Sequence, residues 1–297
     1  MLPVLPILRR RKIFLLGVGA QKAGTSWVHS QLRQSRHFDG GFCKEYHVFD
    51  AIFSPHCQEF RQLRLDELSE KLRNKQLACN ALARPDLLRH LSFLDSIDCY
   101  FDYFDYLWRR SPLTVAVGEI TPSYSILDRD AFGVIKSGLE SRGFEVKVLF
   151  LLRDPVERIW SMFRMLKRNQ SRLGLWDPCS SLLNMTALSY KLPEVELRTR
   201  YDRTITELEA VFKRENIFYG FYETLFSASE FSRLTSFLKL GSMVPAFDKL
   251  VNASPDPDAL PMDLGKEIAM YYADVYSFLF EKFGEDLREI MANASYL

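Results

Sequence analysis

The chain has 297 residues, 47% hydrophobic and 26% charged, which is the composition of an ordinary globular protein. Its net charge of +1 excludes the broad positive field with which proteins bind nucleic acid or anionic membranes, so any anion site must be local. The five cysteines form no CxxC pair and no metal-binding spacing, and no apolar run reaches the ~18 residues of a membrane span; we therefore expect reduced thiols, no metal, no transmembrane segment and a cytoplasmic location.

Strands and helices alternate along the chain. The apolar run at 13–18 predicts a buried strand; basic residues at 9–12 also allow a short signal peptide, but the length of the run favours the strand. Further strands are predicted at 115–119, 146–152 and 216–221, and helices at about 25–34, from 154 onward, at 197–213 and at 264–283. This alternation predicts an α/β fold with three α/β/α layers around a central parallel sheet, in one domain that spans 1–297 with a largely helical insertion at about 51–112.

The turn after the first predicted strand is GVGAQKAGTSW, at 17–27. Small residues in such a turn leave backbone N–H groups free to bind an anion, and the dipole of the following helix favours the bound charge. Lys22 adds a positive charge, and Thr25 and Ser26 add hydroxyl groups. The loop GxxxxGK[ST] of nucleoside triphosphate enzymes has its lysine after the last glycine, followed by a magnesium-binding hydroxyl. Lys22 instead comes two residues before Gly24, so the turn is either a phosphate site of another kind or a plain turn with a surface lysine.

A carboxylate and a histidine lie two residues apart in CKEYHVFD, at 43–50. Glu45 could act as a general base with His47 as its orienting partner, because proton transfer needs a positioned acceptor. An exposed strand end is the alternative interpretation of the same residues.

Arg153 ends the clearest predicted strand, in LLRDPVERIWSMF at 151–163, and Ser161 lies about two turns into the next helix. A guanidinium group binds phosphate oxygens with two parallel hydrogen bonds, and serine adds a donor. Asp154 suits the cap position of that helix. The alternative pairs Arg153 with an acidic neighbour in a surface network. Arg158, three residues before Ser161 on the same helix face, could assist it, but we expect Arg158 on the solvated face of the helix.

Each of these motifs resembles a segment of the sulfotransferases that use 3′-phosphoadenosine-5′-phosphosulfate (PAPS). The segments are QKAGTSW at 21–27, KEYHVFD at 44–50 and RDPVERIWS at 153–161, and they are similar to a bacterial branch related to the heparan sulfate-type enzymes. The resemblance implies a P-loop-like sulfotransferase fold. It also implies in-line transfer of a sulfuryl group from PAPS to a hydroxyl or amine, with 3′,5′-adenosine bisphosphate as product and no metal.

The resemblance implies roles for single residues. Glu45 would be the general base with His47 beside it, and Lys22 would contact the oxygens around the scissile bond. Arg153 and Ser161 would bind the 3′-phosphate. The turn that binds the 5′-phosphate side would consist of Gln21, Lys22, Ala23, Gly24, Thr25, Ser26 and Trp27.

Two further segments resemble the same family. GEITPSYS is similar to a strand-end motif, with Ile120 where the heparan-type enzymes carry lysine, and by this resemblance Glu119, Thr121 and Tyr124 line the acceptor crevice. VNASPDPDALP at 251–261 resembles a bacterial loop near the nucleotide. We expect the acceptor to be a carbohydrate or glycoconjugate.

Some alternatives stay open at this point. The aromatic segment DCYFDYFDYLW at 98–108 either contacts the acceptor or packs in the core. Instead of a sulfotransferase, the chain could be a P-loop nucleotide kinase or a non-catalytic nucleotide- or glycan-binding protein of the same fold. The early position of Lys22 argues against the kinase, and so does Arg153 at the strand end where a kinase carries a magnesium-binding aspartate.

Overall fold

The computed structural model is an α/β structure built on one five-stranded sheet. It describes residues 11–57, 62–63, 65–66, 69–70, 85–172, 181–247 and 259–297. All strands are parallel and stand in the order β2-β3-β1-β4-β5. They are β1 (Ile13–Gly19), β2 (Phe38–Asp39), β3 (Ala116–Ile120), β4 (Glu145–Leu152) and β5 (Ile217–Phe221). The predicted fold class is therefore confirmed.

Helices flank this sheet, as the alternation of elements predicts. They are α1 (Thr25–Leu32), α2 (Phe49–Phe53), α3 (Pro85–Asp95), α4 (Ile97–Arg109), α5 (Arg129–Glu140), α6 (Pro155–Arg172), α7 (Leu182–Ser189), α8 (Pro193–Glu196), α9 (Tyr201–Val211), α10 (Tyr222–Leu225), α11 (Ala228–Phe237), α12 (Met262–Tyr271), α13 (Ala273–Phe283) and α14 (Leu287–Ile290). Short 3₁₀ segments follow β3, precede β5 and end the chain, at Pro122–Ile126, Arg214–Asn216 and Ala292–Tyr296. In the described ranges, no helix is both long and apolar enough to cross a membrane.

The central strand β1 decides where a ligand can lie. All seven of its residues are buried, and β3 and β4 pair with it on either side. The register sets Gly17 of β1 beside Ile120 of β3 and Leu149 of β4. Parallel strands end at the same edge of a sheet, so the segments after β1, β2 and β4 meet at one edge, where ligands bind in folds of this type.

The last predicted helix is divided into two. The apolar spacing predicts one helix over 264–283, whereas α12 ends at Tyr271 and α13 begins at Ala273. The intervening Tyr272 is fully buried, and its hydroxyl donates to the carbonyl of Tyr190 at 2.8 Å. The apolar spacing continues across this break, so periodicity alone does not reveal it.

The aromatic segment at 98–108 lies in α4 and packs mainly into the core. Phe14 of β1 contacts the rings of Tyr100 and Phe104, with centroid distances of 6.3 and 5.0 Å. Phe101 is also buried, whereas Tyr106 is exposed. Of the two open interpretations, the structure therefore favours the core.

Candidate active site

The turn after β1 presents backbone donors at the start of α1. Gly24 precedes the helix with φ of +85°, and a Cβ there would lie 2.5 Å from the side chain of Leu225, so the position requires glycine. No side chain caps α1, and the backbone N–H groups of Thr25, Ser26 and Trp27 have no acceptor within the residues described. This end of α1 is therefore open to an anion.

Four other cations lie close enough to Lys22 to act on its charge. Burial lowers the pKa of Lys22 to about 8, together with the positive charges of Arg168, Arg153, Arg164 and Lys44. Several cations gathered around a half-buried lysine repel one another, and a bound anion would relieve that repulsion. We call these five residues the cation cluster.

Two members of the cation cluster, Arg164 and Arg168, were not among the residues predicted from the sequence. They lie on α6 with Glu157 and Ser161, at successive spacings of four, three and four residues, which places all four on one helix face. The Nε of Arg164 is buried and has no hydrogen-bond partner among the residues described. The helical spacing from Ser161 is the signal that could have identified both arginines.

Arg153 follows β4 and reaches the turn after β1. Its Nη1 donates to the carbonyl oxygen of Lys22 at 3.1 Å, and its Nη2 donates to Oε2 of Glu157 at 3.2 Å. The guanidinium carbon lies 4.2 Å from the ring centre of Tyr222, and the side chain is only 11% exposed. Arg153 thus contacts the turn after β1. It also pairs with an acidic neighbour, Glu157, as the alternative interpretation expects.

The other predicted residues of the turn take different positions. Thr25 is buried, and its Oγ1 accepts a hydrogen bond from Nζ of Lys44 at 3.2 Å. The Oε1 of Gln21 is buried with no partner in the described residues, so it is a second polar atom available to a ligand. Ser26 is half-buried, and Ala23 is fully buried.

Trp27 and Ser161 are both almost inaccessible to solvent. Trp27 is 3% exposed and stacks on Phe247 at a centroid distance of 5.9 Å, with Phe226 and Phe231 at its edges. Ser161 is 6% exposed, one turn before Arg164 on α6. Their roles in nucleotide binding stay predictions.

A chain of charged side chains follows β2. Nζ of Lys44 contacts Oε1 of Glu45, and Nε2 of His47 lies 3.4 Å from Oε2 of the same carboxylate. On its other side, Nδ1 of His47 lies 2.7 Å from Oδ2 of Asp50, which is fully buried. The structure therefore brings the predicted Glu45 and His47 together, and the contact between Lys44 and Thr25 joins them to the turn after β1. Sequence reasoning missed Asp50.

Neighbouring groups set the charges in this chain. Burial lowers the pKa of His47, but its hydrogen bonds with Asp50 and Glu45 outweigh burial and raise the pKa to about 9. Burial likewise opposes ionisation of Glu45, yet the hydrogen bond from His47 and the charge of Lys44 lower its pKa to about 2. At neutral pH an ionised Glu45 therefore lies beside a protonated His47.

The side chains expected to line the acceptor crevice form a buried network instead. Glu119 is fully buried and accepts hydrogen bonds from the backbone N–H of Tyr46 at 2.9 Å and from the hydroxyls of Thr121, Tyr100 and Tyr124 at 2.5, 2.5 and 2.8 Å. Burial raises the pKa of Glu119, and these donors oppose that shift. The prediction for Glu119, Thr121 and Tyr124 is wrong because the end of β3 lies beneath the loop that carries Glu45.

Arg158 is fully buried, so its predicted position on a solvated face is also wrong. Its Nη2 donates to Oγ1 of Thr199 at 2.8 Å and to the carbonyl of Val195 at 3.4 Å. Burial lowers the pKa of this guanidinium. The segment after α8 packs over Arg158 and buries it. The helical periodicity of α6 does not predict that contact.

Some predictions fall on residues outside those described. Of the segment 251–261, which resembles a nucleotide loop, only 259–261 are described. No group of three or more His, Cys, Asp or Glu side chains within the described ranges could hold a metal ion. The described cysteines, at 43, 57 and 99, form no disulfide with one another, and those at 79 and 179 are not described.

The fold and site define an α/β protein in which the turn after the central strand leaves the start of α1 uncapped, with an ionised carboxylate at the same edge of the sheet. The sulfotransferase from Alicyclobacillus acidocaldarius shares this fold: it aligns over 92% of this chain and 95% of its own, with a TM-score of 0.56 and 18% sequence identity. The sulfotransferase domain of the olefin synthase from Synechococcus PCC 7002 aligns over 88% and 94%, with a TM-score of 0.44 and 17% identity. No protein-family model matches the chain, and no curated protein matches its sequence. The first similarity establishes the fold, and the function must be argued from the site.

Proposed function

We propose that the chain is a sulfotransferase that moves the sulfuryl group of PAPS to a hydroxyl or amine of an acceptor, a carbohydrate or glycoconjugate. One observation carries the proposal: the cation cluster around Lys22 and the ionised Glu45 meet at one sheet edge, joined through Lys44 and Thr25. Sulfuryl transfer needs both, because the donor is a polyanion and the acceptor must lose a proton.

The residues present fit the donor. The free N–H groups at the start of α1 and the ammonium group of Lys22 would hold the 5′-phosphosulfate. Arg153 and Ser161 would hold the 3′-phosphate, as the resemblance of their motif implies. The unpartnered Nε–H of Arg164 would gain a phosphate oxygen of such a ligand as its acceptor, and Oε1 of Gln21 would accept from a hydroxyl or amino group of its nucleoside.

Glu45 would accept the proton of the acceptor as the new bond between sulfur and the acceptor atom forms. The bond from sulfur to the 5′-phosphate oxygen breaks in the same step, and Lys22 would stabilise the negative charge left on that phosphate. His47 is protonated at neutral pH and cannot take the proton, so it orients Glu45 with Asp50 behind it. A pKa of about 2 makes Glu45 a weak base, so we assign more of the rate to positioning and charge stabilisation than to proton transfer.

The direct test is transfer from labelled PAPS to a panel of oligosaccharides, with EDTA present. We expect transfer without a divalent ion, loss of transfer in Lys22→Ala, and normal transfer in the control Arg129→Ala, whose side chain is 57% exposed at the start of α5. Phosphoryl transfer from ATP that depends on magnesium would favour the kinase instead. Binding of 3′,5′-adenosine bisphosphate without any transfer would favour the non-catalytic alternative.

A further inference from the structure

The side chain of Lys44 lies between the start of α1 and the candidate base. Its Nζ donates a hydrogen bond to Oγ1 of Thr25, the first residue of α1, at 3.2 Å, and it also contacts Oε1 of Glu45. Thr25 is buried, whereas the side chain of Glu45 is 37% exposed. One ammonium group therefore joins the helix end that is open to an anion with a carboxylate that an acceptor can reach.

Backbone contacts fix the position of Lys44 in its loop. Its carbonyl oxygen accepts a hydrogen bond from the N–H of Ile120 at 3.1 Å. Two residues later, the N–H of Tyr46 donates to Oε2 of Glu119 at 2.9 Å. Because the end of β3 holds the backbone on both sides of Glu45, only the side-chain torsions of Lys44 can move its ammonium group.

The ammonium group of Lys44 keeps one donor for a ligand. Lysine carries three N–H donors and no acceptor. Oγ1 of Thr25 and Oε1 of Glu45 accept two of them, and no acceptor for the third lies among the residues described. The side chain is 18% exposed, so an anionic oxygen brought by a ligand would complete the hydrogen bonds of a mostly buried cation.

The geometry of in-line transfer decides what that third acceptor is. The N–H groups at the start of α1 would hold the 5′-phosphate side of the donor, and the acceptor atom must lie within hydrogen-bond reach of Glu45 to lose its proton. The sulfur atom lies between the leaving phosphate oxygen and the incoming acceptor atom. The sulfuryl group would therefore occupy the space between the start of α1 and Glu45, and Lys44 spans these same two points.

We propose that Lys44 is a further catalytic residue, whose ammonium group donates a hydrogen bond to a non-bridging oxygen of the sulfuryl group. This inference rests on the proposed function and adds a cation on the acceptor side of the sulfur atom, whereas Lys22 acts on the leaving phosphate. In the transfer step, the acceptor atom forms a bond to sulfur, the bond from sulfur to the 5′-phosphate oxygen breaks, and the acceptor proton passes to Glu45. Lys44 keeps its own protons and holds the sulfuryl group in line.

Two nucleotides distinguish this contact from a general effect of charge. PAPS carries the sulfuryl group and 3′,5′-adenosine bisphosphate lacks it, yet at about pH 7.5 both have about two negative charges at the 5′ position, since a phosphate monoester loses its second proton near pH 6. Each is titrated by calorimetry into the protein without acceptor. We expect Lys44→Met to weaken PAPS binding about tenfold or more, the value of a hydrogen bond to a charged group, and to change bisphosphate binding less than about threefold.

Two matched variants define the expected pattern. Arg153→Ala removes a contact to the 3′-phosphate, which both nucleotides carry, so it should weaken both to the same extent. Lys213→Met removes an exposed lysine ahead of β5 and should change neither affinity. In single-turnover transfer, Lys44→Met should also lower the rate about 100-fold, the lower limit for loss of one donor to the transition state.

Equal weakening of PAPS and bisphosphate binding in Lys44→Met, or no change in either, would overturn the inference. A slower rate with both affinities unchanged would make Lys44 a partner of Glu45 alone and would overturn it too. The unfolding temperature of each variant is measured, and Lys44→Gln replaces Lys44→Met in the same comparison if the latter does not fold. Failure of the wild type to bind either nucleotide counts against the proposed function, whereas equal effects on the two nucleotides in the variant count against this inference alone.

Discussion

At Glu45, contacts with two cations outweigh burial and keep the carboxylate ionised. His47 and Lys44 hold its two oxygens, and Asp50 in turn holds His47 in its protonated form. A carboxylate fixed in this way is well positioned but weakly basic. Its contribution to the rate should therefore lie near the lower limit for general base catalysis.

Glu45→Gln keeps the size of the side chain and removes the proton acceptor. We expect kcat to fall about 100-fold, at the lower end of the range for general bases. Affinity for 3′,5′-adenosine bisphosphate, measured by calorimetry, should stay unchanged because Glu45 acts on the acceptor. A variant that turns over at the wild-type rate would remove Glu45 from the mechanism.

The pKa of Lys22 predicts the pH above which activity declines. With a pKa of about 8, Lys22 is fully charged at lower pH and loses its charge as the pH rises through 8. Because kcat/KM reports the ionisation of the free enzyme, kcat/KM for PAPS should fall above pH 8 by about tenfold per pH unit. Lys22→Arg stays charged at these pH values, so its profile, at whatever overall rate, should lack this decline. The same decline in the variant would assign it to another group.

At the scale of elements, β3 holds the loop at 40–48 that carries Glu45. The backbone N–H of Ile120 donates to the carbonyl of Lys44 at 3.1 Å, and Glu119 accepts from the N–H of Tyr46 at 2.9 Å. Glu119 and Ile120, the two residues of β3 that make these contacts, are fully buried. The position of Glu45 therefore depends on a polar network in the core rather than on the loop alone.

Glu119→Gln tests this dependence, because it replaces one acceptor oxygen with an N–H₂ group. That group would face the hydrogen-bond donors that surround Glu119. We expect a loss of about 1–3 kcal/mol in the free energy of unfolding, the cost of unsatisfied buried donors. The displaced loop should lower kcat as well. Urea unfolding measures the first effect, and Glu140→Gln at the exposed end of α5 is the control, expected within about 0.5 kcal/mol of wild type. Equal effects of the two variants would contradict the role of the network.

Sequence analysis predicts a structural feature when the residues that determine it lie close together in the chain. The strands β1 and β4 are continuous apolar runs, so their sequence alone predicts them. The two-residue β2 is too short for any pattern. The break at Tyr272 and the burial of Arg158 depend on partners far along the chain, Tyr190 and Thr199, which no local window contains.

The same limit applies to the candidate site. Its members Lys22, Glu45 and Arg153 come from motifs with distinctive spacing, and the structure joins them at one edge of the sheet. Asp50 does not stand at a distinctive spacing from Glu45 or His47. It follows an irregular loop, so no periodicity predicts which side chains it contacts. The protonation of His47 was likewise not predictable, since it depends on a contact with this buried carboxylate.

At the scale of the whole molecule, the parallel sheet gathers segments that are distant in the chain. The turn after β1, the loop after β2 and Arg153 after β4 meet where the rule for such sheets expects a ligand. The cations gathered around Lys22 at this edge suit a reaction with a polyanionic donor.

The most direct test of the central claim, that this site binds PAPS, compares 3′,5′-adenosine bisphosphate with 5′-AMP by calorimetry, in the wild type and in Arg153→Ala. Two hydrogen bonds to the 3′-phosphate, each worth about 1.5–3 kcal/mol, predict a preference of at least ~100-fold for the bisphosphate in the wild type. Arg153→Ala should remove most of that preference and leave AMP binding nearly unchanged, and the four affinities form a double cycle that isolates the phosphate contact. Equal affinity of the wild type for the two nucleotides would contradict the PAPS-binding account.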